Sequence, residues 1–177
     1  MRFAFDQLFE YLLAARHERD HSPEGILDLA QRATEFRSYR GVLGFVLQEL
    51  ARSDRGAMIA DALDRCGNAH AGREVLVDVA AAVLARLARS HARQYDRVLG
   101  TLADPPSERD VEVLCRAAAR MTSERQHERA EKALTVAGLE SSALRRTDLQ
   151  AEVAQLYGIV LSACDRNPEA VEALRNA

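Results

Sequence analysis

Residues 147–176 read TDLQAEVAQLYGIVLSACDRNPEAVEALRN, and the punctuation of this stretch decides the fold class. Thr147-Asp148-Leu149-Gln150 has the form of a capping box, in which a hydroxyl and an amide three residues apart satisfy exposed backbone N–H groups at a helix start. Asn167-Pro168-Glu169 then offers a side-chain acceptor, a proline suited to the first helical position and an early acid. Two helices are therefore predicted back to back, over 148–165 and 168–176. The same device recurs as Ser22-Pro23-Glu24, and Ser107-Glu108-Arg109-Asp110 follows Pro105-Pro106 with capping-box-like spacing.

Working outward from these starts, helices are predicted over 3–20, 23–37, 39–52, 54–66, 71–99, 107–122 and 125–139. No run alternates apolar and polar residues as a half-buried strand would. The fold class is all-α: antiparallel helical hairpins, packed as a bundle or a short α-solenoid of about eight to nine helices. The chain reads as a single all-helical domain over 1–177, and Asp104-Pro105-Pro106 is the candidate boundary between two subdomains. Residues 41–50, GVLGFVLQEL, are apolar nearly all round and predict a buried central helix, with Gly41 and Gly44 permitting close backbone approach. The predicted helix over 71–99 turns polar toward its end, as expected if its first half is buried and its second projects.

Composition narrows the function. At 47% apolar and 29% charged residues, the chain is globular rather than disordered. Aromatics supply only 5% and Trp is absent, so the core must come from Ala, Leu and Val on closely approaching helices. A net charge of -3 argues against a general nucleic-acid binder. Cys66, Cys115 and Cys164 are odd in number and form no C-x-x-C pair, so neither a disulfide framework nor a thiolate zinc site is indicated, and a cytoplasmic location fits. No apolar run reaches the ~18 residues of a membrane span, and Asp6 and Glu10 interrupt the N-terminal apolar region, unlike a signal peptide.

Leu114, Ala117, Ala118 and Met121, followed by Ala130, Leu134 and Ala137, stand at the signature spacing of a tetratricopeptide repeat, and residues 111–144 resemble one unit of that family. Small residues at 118 and 130 suit helices that cross closely. Leu114 stands in place of the aromatic, Met121 in place of the tyrosine and Ser142 in place of the closing proline. Residues 156–174 also resemble the end of one such repeat and the start of the next. The resemblance implies a 34-residue pair of antiparallel helices, stacked on its neighbours.

Two constellations carry chemistry. Residues 17–21, HERDH, match H-E-x-x-H, in which two histidines four apart hold zinc and the glutamate between them activates water. His17 and His21 would be the ligands and Glu18 the base of a zinc-dependent hydrolase. On a helical projection, however, Phe5, Leu8, Leu12 and Ala15 form the apolar stripe, and the histidines fall opposite it with Asp6 and Glu10. Pro23 follows at once and no third ligand sits in a recognisable motif, so a charged helix end without a metal is the leading reading. His70, His91 and His127 read as surface histidines. The second constellation is Arg86, Arg89, Arg93 and Arg97, which align on one face of the helix over 71–99 and could receive phosphates or an acidic surface. A solvated face neutralised by Asp54, Asp61 and Asp64 is the simpler alternative, and only Tyr95 is at hand for base stacking. Phe3, Phe9 and Tyr11, with Phe5, spread aromatics around the first helix as a docking face or homodimer seam. Phe36, Tyr39 and Phe45 read as packing residues.

The expectation is a non-enzymatic helical module, of adaptor, chaperone or regulatory type, that binds a protein or peptide and needs no cofactor. Its candidate contacts are the arginine stripe and the N-terminal aromatics. The rivals are a zinc hydrolase and a nucleic-acid binder using Arg86–Arg97.

Overall fold

The computed structural model describes residues 22–67, 70–102 and 107–175, and among these the chain is all-α, with nine helices and no strand. The expected helix over 3–20, and with it Phe3, Phe5, Phe9, Tyr11, His17, Glu18 and His21, lies outside the described residues. So does the expected break at 104–106. The chain forms two compact units, Met1–Val83 and Leu84–Ala177.

The first unit holds α1 (Pro23–Glu35), α2 (Arg37–Arg52), α3 (Ala57–Arg65) and the start of α4 (Arg73–Ser90). Ser22 caps α1 as its sequence requires, its hydroxyl accepting the Gly25 N–H at 3.1 Å. Val42, Leu43, Val46, Leu47 and Leu50 of α2 are buried, while Arg40 and Glu49 on its other edge are exposed, so this helix is amphipathic rather than apolar all round. The close approach expected at Gly44 occurs elsewhere. A Cβ on Gly44 would meet only the Val79 side chain at 3.7 Å, whereas one on Gly72 would lie 2.6 Å from the backbone of Ala30 and Gln31. Gly72 is where the chain lies directly on α1. Phe36 is a further correction: it links α1 to α2 in extended backbone, 56% exposed, with its ring 6.2 Å from that of Tyr39.

The second unit contains the end of α4 and then α5 (Ala92–Leu102), α6 (Glu108–Ser123), α7 (His127–Ala143), α8 (Thr147–Ala163) and α9 (Asn167–Arg175). The single helix expected over 71–99 breaks at His91. Beside the break, the Ser90 hydroxyl donates back to the Arg86 carbonyl at 2.9 Å and also meets His91 Nδ1 at 2.8 Å; such back-bonding bends helices. The segment beyond the break does not project, since Tyr95, Val98, Leu99 and Leu102 are buried.

From α6 onward the helices are joined by one repeated turn. Arg125, Arg145 and Asp165, twenty residues apart, each adopt positive φ (60°, 53° and 60°). After each, the next N–H reaches back to close the preceding helix: Gln126 to Met121, Arg146 to Ser141 and Arg166 to Leu161, at 2.8, 3.2 and 2.9 Å. This is the Schellman motif. The same residue's carbonyl starts the following helix, as when Gln150 N–H donates to Arg146 O. The turn thus leaves no separate capping position, and the capping box expected at Thr147 does not form: Thr147 is the first residue of α8, and Arg146 precedes it without a side-chain cap. Ser107 does cap α6, accepting the Asp110 N–H at 3.2 Å and donating to its carboxylate at 2.7 Å.

Candidate functional site

Helices α6 and α7 form a hairpin, α8 packs on both, and α9 packs on α8. Residues 111–144 run from the first turn of α6 to the end of α7, and Leu114, Ala117, Ala118, Met121, Ala130, Leu134 and Ala137 are all buried between its helices. Small side chains at 117, 118, 130, 133 and 137 let the helices approach closely. The Arg166 guanidinium holds both oxygens of Glu131 at 2.9 Å, and the Tyr157 hydroxyl donates to the same carboxylate at 3.0 Å, tying α8 and its following turn to α7.

On the side where α6 faces α8, a groove of about 300 Å³ opens. Ala118, Ala119, Thr122 and Ser123 form one wall, Leu156, Ile159 and Val160 the other, and Leu134 the floor. The short side chains of α6 keep it open, and the lining is mostly hydrocarbon. Ile159, which lines the groove, is 51% exposed. Sequence reasoning did not single out this groove. A signal was present in Gly158-Ile159-Val160-Leu161, where four successive apolar residues exceed what one buried helix face requires.

The arginine stripe is divided by the break at His91: Arg86 and Arg89 are on α4, Arg93 and Arg97 on α5, and all four are exposed. Arg89 reaches toward Glu124 at 4.0 Å. Glu124 directly follows Ser123, so Arg89 approaches one end of the groove. Asp61, one acid expected to neutralise the stripe, instead bonds Arg65 at 2.9 Å within α3. Tyr95 is not offered for stacking. It is fully buried, its hydroxyl donates to the Arg129 carbonyl at 2.7 Å and the Arg129 guanidinium lies 5.6 Å from its ring centre. Asp96, next along α5, pairs with Arg129 and Lys132 at 3.3 and 2.7 Å, anchoring α5 to α7.

Among the described residues, no group of three His, Cys, Asp or Glu is arranged to hold a metal ion. His70 Nδ1 accepts the Gly72 N–H at 3.0 Å and serves the turn that places Gly72. The cysteines form no disulfide; Cys66 and Cys115 are buried and Cys164 is half-buried. No described helix is long and apolar enough to cross a membrane. Comparison with protein-family models, curated proteins and solved structures returned no match.

Proposed function

We propose that the chain is a helical protein-interaction module, related in plan to tetratricopeptide-like hairpin arrays, that seats an amphipathic helix of a protein partner between α6 and α8. The observation that carries this reading is the groove with its half-exposed Ile159. A helix laid into such a groove inserts apolar side chains at three- and four-residue spacing. Arg89, exposed near one end of the groove, favours a partner that is acidic on its flank, because like charge there would be repelled and opposite charge drawn in. The turn recurring at 125, 145 and 165 supports the array plan, since each helix packs on its sequence neighbour as in helical repeats.

The test is fluorescence anisotropy with a synthetic 16-residue amphipathic helix carrying leucines on one face and glutamates on its flank. Wild type is expected to bind it in the micromolar range. Ala119→Arg, which fills the groove from an exposed position, should weaken binding at least tenfold with helix content unchanged, and a lysine-flanked peptide should bind more weakly. Equal affinity of wild type and Ala119→Arg for the acidic peptide would overturn the reading.

A further inference from the structure

Glu140 is the most incongruous residue in the second unit. It lies on the buried stripe of α7, in register with Ala133, Ala137 and Ser141, and is 3% exposed. Neither of its carboxyl oxygens has a hydrogen-bond partner among the described residues. A charged carboxylate in such a place is costly, while the neutral acid is much less so. Among the described residues no cation pairs with it. From α6 come Asp110, 1% exposed, and the thiol of Cys115. Glu152 of α8 and Glu112 of α6 act on the same thiol, which burial, then Glu152, Glu112 and Glu140, push up to about 12. Gln150 of α8 reaches only the Ser141 carbonyl, at 3.4 Å. Arg146, at the turn between α7 and α8, is held by Glu108 and Asp148.

We infer that the contact between α6 and α7 contains a proton-dependent lock: Glu140 is held as the neutral acid beside Asp110, and release of its proton to solvent loosens the packing of α6, α7 and α8. Burial first, and the charge of Asp110 second, raise the Glu140 carboxyl from its ordinary 4.5 to about 8. Near neutrality the lock is closed, and mild alkalinity opens it. The site is placed to affect three helices at once, because α8 packs on both α6 and α7, and a Cβ added at Gly138, two residues earlier, would meet the Val153 side chain of α8 at 3.8 Å. This lock stands independently of what the groove binds.

The test is a carboxyl-carbon NMR titration of the full chain labelled at glutamate, with the methyl signals of Ala137 and Val153 followed in parallel. One glutamate is expected to titrate with a midpoint near pH 8, and both methyl signals should move with it. In Glu140→Gln that carboxyl signal should vanish and the methyl signals should hold still over the same range. Titration of every wild-type glutamate below pH 6 would overturn the inference, and needs no variant to fold. So would a midpoint near 8 that persists in Glu140→Gln, or one unaccompanied by methyl movement.

Discussion

Tyr95 and Arg129 hold one another twice: the tyrosine hydroxyl donates to the arginine carbonyl at 2.7 Å, and the guanidinium turns back to lie 5.6 Å from the ring centre. The pair joins α5 to the first turn of α7 and explains how a helix rich in charge comes to be buried on one side. Burial is also the first cause that raises the Tyr95 hydroxyl above its ordinary value, so it remains a donor throughout the neutral range. Tyr95→Phe should cost about 1 kcal/mol, one hydrogen bond lost from a packed ring. Tyr95→Ala should cost about 3–5 kcal/mol. Urea unfolding of both variants checks this, and similar losses for the two would contradict the hydrogen-bond assignment.

Two glycines should respond oppositely to alanine. At Gly72 the added methyl collides with the backbone of α1 at 2.6 Å, and α1 must shift; a loss of about 1–3 kcal/mol is expected. At Gly44 the same methyl makes ordinary contact with Val79 at 3.7 Å, and relief from glycine's poor helix propensity should stabilise by roughly 0.5–1 kcal/mol. Thermal unfolding of Gly72→Ala and Gly44→Ala decides the matter by sign.

The positive φ of Arg145, 53°, is strained for a residue with a Cβ and costs about 1–2 kcal/mol. Arg145→Gly should stabilise the second unit by about 0.5–1 kcal/mol, the strain relieved being partly offset by glycine's greater freedom when unfolded. Calorimetry of this variant should show a raised midpoint; an unchanged or lowered one would mean that the arginine contributes through contacts of its own.

These sites mark where the sequence was readable. The capping by Ser22 and Ser107 is local chemistry that the sequence states outright. The turns at 125, 145 and 165 were hidden because Arg, Arg and Asp occupy a position that glycine usually announces, so the twenty-residue recurrence left no mark in composition. Thr147 promised a cap that the preceding Schellman turn supplants. The break at His91 was illegible because apolar residues continue through it, from Leu87 to Tyr95 and Val98. Gly72 escaped notice because close approach depends on a partner, Ala30 and Gln31, far away in sequence. Glu140 could have been found: it continues the spacing of Ala133 and Ala137, where an apolar residue belongs.

The Glu140 carboxyl also predicts how stability depends on pH. Its folded value of about 8 exceeds its ordinary 4.5, so the folded state holds the proton more tightly. Its contribution is fully present below 4.5, is lost as pH rises toward 8, and changes no further above that. Across the window the slope is at most roughly 1.4 kcal/mol per pH unit. Urea midpoints measured from pH 5 to 9 should fall in wild type and be nearly flat in Glu140→Gln. A wild-type midpoint that rises over this range would contradict the burial of a neutral acid.

The central claim is the groove between α6 and α8, and methyl NMR of the full chain with the acidic amphipathic peptide tests it most directly. Shifts concentrated on Ala118, Ala119, Leu134, Leu156, Ile159 and Val160, with Leu47 and Leu63 of the first unit unmoved, are the predicted result. Shifts confined to residues outside that set, or none at peptide concentrations near one millimolar, would contradict it.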